Sequence, residues 1–341
     1  KFHEGAKAID DFIINNLSQI YIPITRGELW DESEEKKNRR LAIYAVLSEV
    51  LKTLDILIHP FCPYTSEHLY QTVFDGKQSI LLDKWPQYQE SLVNEEIEES
   101  FDIMKDVVSI SSAARMKGKL KRRWPLNVAQ ICVKKNQKLK LESLSDLLKS
   151  QLNVEKFNII ETEKENGLEQ LLELKELGLP VKSKLELERK RIGPKAKQYM
   201  GKLVNTFSET NPEEIISALQ KDGEYDFKID DEVISLDKRD FIVGFDASEN
   251  FAVANRDEFT VFISTLRNKE MMAKGLVKDV ARRLQTLRKE RGYNPTDVLE
   301  VASILELDDE SLEMIKQRDE ELAFLVRVKK VNFEKSCKEY K

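Results

Sequence analysis

The chain has 341 residues, enough for two or three domains with real hydrophobic cores, which excludes a single small module. Lys plus Arg number 55 and Asp plus Glu 61, and the net charge of −6 excludes a protein that coats nucleic acid by bulk charge while leaving room for a local basic patch. With 34% charged and 41% apolar residues and only 12 Gly and 9 Pro, the composition is that of a folded, helix-rich chain.

In chain order, Ala6, Ile9, Phe12, Ile13, Leu17 and Ile20 form a helical apolar stripe from the first residues onward, without an initiator Met or a secretory h-region. The chain therefore reads as a piece of a longer cytoplasmic protein. Tyr21-Ile22-Pro23 is expected to interrupt that helix. A second helix is predicted over Glu34–His59, stopped by Pro60, and a short third over Tyr64–Phe74, followed by a turn at Asp75-Gly76. A fourth runs from about Val93 to Met116, with Ile97, Phe101, Met104 and Val108 on one face. Four stripes joined by short connections predict an all-α helical bundle over 1–124.

Beyond it the pattern is mixed. Leu126–Val133 alternates like a half-buried strand, Leu139–Leu152 reads as a helix and Val154–Ile160 as another strand. These belong to a junction region over 125–190. An α+β region over 191–341 then follows: a helix from Gly193-Pro194 to Val204, a hairpin over Tyr225–Ile234 turning at Asp230-Asp231, and strands over Asp240–Phe245, Phe251–Ala254 and Phe259–Ile263. A long helix over Leu266–Arg291, a strand over Val298–Leu307, a helix over Glu310–Val326 and a strand over Val328–Phe333 complete it. No period of the solenoid kind is apparent.

No phosphate loop, dinucleotide fingerprint, zinc-protease helix or nucleophile elbow occurs. Cys62, Cys132 and Cys337 are odd in number, with no CxxC spacing and no neighbouring His, and support neither a zinc site nor a disulfide frame. Of the three histidines, His59 reads as a helix C-terminal cation and His68 has a single carboxylate neighbour in Glu67, so neither marks a catalytic or metal site.

The positive information lies in two basic segments. Arg115, Lys117, Lys119, Lys121, Arg122 and Arg123 place six cations in nine residues with no acid among them, just before Trp124-Pro125. Clustered cations beside an aromatic plane suit an unpaired RNA loop, with the bland alternatives being a dipole-favoured helix end and a Trp packed in the core. Lys274, Lys278, Arg282, Arg283, Arg288, Lys289 and Arg291 lie on or just beyond the late helix, whose stripe is Val277, Val280, Ala281, Leu284 and Leu287. Lys274, Lys278 and Arg282 share an outward edge there, fit either for phosphates or simply for solvent.

Lys1-Phe2-His3-Glu4, Phe12–Tyr21, Arg26 and Trp30 resemble the start of the anticodon-binding domain of class I aminoacyl-tRNA synthetases of the isoleucyl, valyl and leucyl group. His59–Tyr70 resembles that group's Pro-Phe-x-Pro segment, and Trp85-Pro86 its closing dipeptide. Arg115 with Lys121–Leu126 is similar to the isoleucyl branch, as is Gly275–Gly292 to the late helix of its archaeal and eukaryotic-cytoplasmic type. Pro23 and Ile20 depart from the pattern, which tends to Arg after the Tyr and Trp before it.

The resemblance implies the tRNA-recognition part of an isoleucine–tRNA ligase, without catalytic site, metal or cofactor of its own and lacking HIGH-like and KMSKS-like signatures. The intact enzyme would use ATP and Mg²⁺ and carry catalytic and editing domains upstream. It implies a monomer, with no membrane association, whose partner is the anticodon arm of tRNA(Ile). The candidate tRNA contacts are Arg26, Trp30, Arg115, Lys117, Lys119, Lys121, Arg122, Arg123, Lys274, Lys278, Arg282, Arg283 and Lys289. Two alternatives stay open: the same part of a valyl or leucyl enzyme, and a non-enzymatic module whose basic patches bind acidic proteins.

Overall fold

A computed structural model describes residues 1–29, 33–74, 79–164, 167–294 and 296–334, and the chain divides into two units, Lys1–Asn94 and Glu95–Lys341. The turn expected at Asp75-Gly76, Trp30 and Cys337 lie outside the described residues.

Helices α1 (Phe2–Asp11) and α2 (Ile22–Leu29) of the first unit are joined by a π-helical stretch over Phe12–Tyr21, so Pro23 does not break the rod. The physical reason is the ladder's shift: the Ile22 N–H donates to Leu17 O, five residues back, and the widened turn absorbs a residue with no N–H. Helix α3 (Lys37–Ile58) buries Ile43 and Leu54, and α4 (Pro63–Val73), opened by Pro63 at its first position, buries Tyr70. Glu67 accepts from Ser79 Oγ and the Ile80 N–H, holding the next short turn against α4.

In the second unit, α5 (Glu95–Lys117) leads to β1 (Leu126–Val133), α6 (Lys135–Ser143), α7 (Ser145–Leu152), β2 (Val154–Glu161) and α8 (Gly167–Glu176). Next come β3 (Val181–Leu187), α9 (Arg189–Ala196), α10 (Met200–Glu209), α11 (Pro212–Lys221) and the hairpin β4 (Glu224–Ile229) and β5 (Glu232–Asp237). The expected turn is there, with Asp230 at φ +55°. Then follow β6 (Phe241–Ala247), β7 (Phe251–Arg256), β8 (Phe259–Ser264), α12 (Lys269–Glu290), β9 (Leu299–Leu305), α13 (Asp309–Lys316), α14 (Asp319–Val326) and β10 (Val328–Glu334).

Helix α5 corrects the expected all-α bundle. Its buried residues are Met104, Val107, Ile110 and Ala114, and they pack on β7 and β8 and into a core shared with Leu126, Ile131, Leu148 and Phe259. Of the predicted stripe, Ile97 is exposed and only Met104 is fully buried. The fourth bundle helix is thus the cover of a mixed sheet with strand order β2-β1-β8-β7 and lies within the unit Glu95–Lys341. Periodicity reveals that a face is apolar and is silent on whether a helix or a sheet covers it. Two single helices expected over 139–152 and 310–326 are each a pair, and β3, α8 and α11 were not foreseen.

Two stretches of this unit are built alike. Long helix, loop, strand, two short helices and a parallel strand occur as α5-β1-α6-α7-β2 and again as α12-β9-α13-α14-β10. Lys105-Asp106-Val107 matches Lys278-Asp279-Val280, Arg115 matches Arg288, and Leu126-Asn127-Val128-Ala129-Gln130-Ile131 matches Leu299-Glu300-Val301-Ala302-Ser303-Ile304. Left-handed residues Asn153 and Arg327 close α7 and α14 at the same place, and the first strand of each copy begins with an N–H donated to that residue's carbonyl.

Candidate nucleic-acid interface

The basic loop after α5 is anchored from inside. Arg115 is 4% exposed, and its guanidinium donates to Lys121 O (3.1 Å), Trp124 O (2.9 Å), Leu152 O (2.8 Å) and Asn153 O (3.1 Å). Burial, with Arg122 and Arg267 nearby, brings its pKa down to about 10, still charged at neutral pH. Arg115 is therefore a staple between the loop and the end of α7, with both of its Nη groups turned to backbone carbonyls. Composition could not separate it from its neighbours, because burial is decided by what packs over the helix end.

The cations it positions are exposed. Lys117, Lys119, Lys121, Arg122 and Arg123 all face solvent, with Lys119 at φ +53°. Among the described residues, Lys117, Lys119 and Arg122 have no ion pair, while the Arg122 carbonyl accepts from Asn153 Nδ2 at 3.2 Å.

Asp279 of α12 gathers the rest. Its Oδ2 accepts from Lys121 Nζ (2.7 Å) and Trp124 Nε1 (3.0 Å), and its Oδ1 lies 3.5 Å from Arg123 Nη1. Burial alone would push this carboxyl up, but the hydrogen bonds from Lys121 and Trp124 outweigh it and hold the pKa below the ordinary carboxylate value. Trp124 is half-buried against Gly275, where an added Cβ would fall 2.4 Å from its Cδ2, and Lys121 Nζ and Arg267 Cζ sit 5.3 and 4.9 Å from its ring. The indole is a packed post joining the two basic segments.

The other candidates divide. Lys274 is half-buried and paired with Glu270 (2.8 Å) and Glu155 (3.5 Å), and half-buried Lys278 has its pKa lowered, first by burial. Arg282, Arg283 and Lys289 are exposed, whereas Arg288 repeats the role of Arg115, donating to Asn294, Asp297, Val326 and Arg327 carbonyls. Arg26 is exposed on α2 in the first unit. Asp279 and Arg267 were missed by sequence reasoning; the repeated Lys-Asp-Val was the available signal for Asp279. No helix of the described residues is long and apolar enough to cross a membrane.

Residues 1–130 match the family described as the anticodon-binding domain of tRNA ligase. Over that span the chain is similar to this domain. The matched span includes α5, the basic loop and the first residues of β1. Along nearly its whole length the chain is similar to isoleucine–tRNA ligases: 26% identical over 97% of this chain to that of Sulfolobus acidocaldarius, and 27% over 98% to that of Pyrococcus furiosus. The Bacteroides fragilis enzyme is 26% identical over 87%. These matches span 30%, 29% and 25% of the respective relatives' lengths.

Proposed function

We propose that this chain is the anticodon-arm recognition part of an isoleucine–tRNA ligase, a cytoplasmic monomer whose whole form activates isoleucine with ATP and Mg²⁺ and esterifies it to tRNA(Ile). The observation that carries the RNA reading is the loop Lys117–Arg123, where five exposed cations are held on a frame built by Arg115 and Asp279. A fixed row of cations neutralises phosphates and sets register at a small ordering cost, and Asp279 orients Lys121 and Arg123 while removing only one charge from the row. Trp124 supports the row from below; stacking on a base is not its role. The acceptor-end chemistry belongs to parts of the enzyme outside this chain.

The test is binding of tRNA to the chain across a salt series. Replacing Lys119, Lys121, Arg122 and Arg123 by Ala should flatten the slope of log K against log salt by about 0.7–0.9 for each phosphate that is no longer neutralised, and affinity should fall similarly for any tRNA sequence. A parental slope in the quadruple variant refutes the placement. Heparin binding equal to that of tRNA would instead favour a general acidic-partner module.

A further inference from the structure

The two copies of the repeated motif differ in one respect. In the first, β1 is flanked by β2 on one side and by β8 on the other, in antiparallel register Ala129↔Ile263 to Cys132↔Thr260, and α5 lies across the β7–β8 hairpin. In the second, β9 pairs with β10 alone among the described residues, leaving the edge equivalent to the β8 side open. Exposure follows. Ala129 and Ile131 are fully buried, but Ala302 and Ile304 are half-buried. On the long helices Ala114 is 0% exposed and its counterpart Leu287 52%, while Val107 is fully buried and Val280 only partly. Leu284, half-buried, extends the same face. An open strand edge beside a partly exposed apolar helix face is a template for strand addition.

We propose that the β9 edge and the adjoining face of α12 seat an apolar β-hairpin from another polypeptide, bearing an acidic residue where the chain's own hairpin bears Arg256. The charge follows from the copies. In the first, Arg256 Nη2 meets Asp106 Oδ1 at 2.7 Å. The equivalent Asp279 is already engaged by Lys121 and Trp124, and one turn on, where the first copy has buried Ile110, the second has exposed Arg283. An arginine arriving there meets a cation; a carboxylate meets a partner. The same charges disfavour a second copy of this chain, since a two-fold pairing of β9 edges would bring the Arg282 and Arg283 pairs of both copies together.

The occupant's register is transposed from the first copy, with Ala302 to Leu305 facing its inner strand. The probe is therefore a peptide of residues 251–264 with Gly-Ser tails, made as the native sequence and with Arg256→Glu. Mixed with the full chain, the Arg256→Glu peptide should slow hydrogen exchange at the amides of 302–305 that point away from β10, and bind about five-fold more tightly than the native peptide. Arg283→Glu in the chain, an exposed change expected to leave melting unaltered, should reverse that preference. The proposal is overturned if neither peptide protects the amides of 302–305 that point away from β10, if Arg283→Glu leaves the preference unchanged, or if those outward amides are already protected in the peptide-free chain. Constant protection there would mean the chain fills its own edge, and protection rising with concentration would mean a second copy does.

Discussion

Replacing Arg115 by Met distinguishes a structural staple from an RNA contact. Methionine keeps an unbranched stem and removes all four donated hydrogen bonds. The Leu152 carbonyl is in a fully buried bond and has no water to turn to, whereas the Lys121, Trp124 and Asn153 carbonyls are partly exposed and can be rehydrated. One stranded buried acceptor costs about 1–3 kcal/mol, and each bond to a charged donor contributes about 1.5–3 kcal/mol. Removing a buried charge gives part of this back, since burial already opposes the guanidinium. The net expectation is a destabilisation of about 3 kcal/mol.

The readout is amide exchange at Leu126, whose N–H donates to Asn153 O beside the staple (3.1 Å). It should exchange about a hundredfold faster, because about 1.4 kcal/mol corresponds to a factor of ten. Lys117→Ala, which removes an exposed and unpaired cation, should leave that rate within a factor of about two. Should Arg115→Met leave exchange and melting unchanged while weakening tRNA binding, the staple reading is wrong and Arg115 meets RNA directly.

Three further expectations are open to simple assays. Gly275→Ala should cost about 1–3 kcal/mol and alter the near-ultraviolet dichroism of tryptophan, since its Cβ overlaps the Trp124 ring; an unchanged spectrum and melting temperature would deny that packing. Asp279→Asn should tighten tRNA binding at low salt by removing the one anion in the basic row, and unchanged binding would place the RNA elsewhere. Asp83 is held at a pKa of about 2, below the ordinary 3.8, by hydrogen bonds from Tyr70, then Lys52, then the Lys84 N–H. A depressed carboxyl stabilises the fold above the unfolded value and loses that contribution as pH falls through the folded one. Asp83→Asn should thus lower stability by about 1–2 kcal/mol at pH 6, after allowance for solvent screening, and the gap should close between about pH 4 and pH 2. A gap independent of pH in that window would contradict the assignment.

Much of the element order was legible from local patterns. α3, α4, the hairpin at Asp230-Asp231, β7, β8 and α12 follow from apolar spacing, Pro placement and turn chemistry, because these act within a few residues. The basic character of Lys117–Arg123 was equally visible, since charge density is a property of the string. The π-helical passage through Pro23 was not, because propensity counts the missing N–H and says nothing of a ladder that shifts register before it.

Everything that depends on what lies across a face was decided in three dimensions. The α5 stripe reads the same whether its cover is a helix or the β7–β8 hairpin. Arg115 and Arg122 are the same letter, yet one is buried under four carbonyls and the other is in water. Trp124, Gly275 and Asp279 became one cluster only because tertiary packing carries α12 alongside the loop, a contact spanning more than a hundred residues. Hydrophobic pattern and charge are local quantities written in the chain, while burial and partnership arise from distant segments meeting; the fold alone settles which cation holds the structure and which one faces outward.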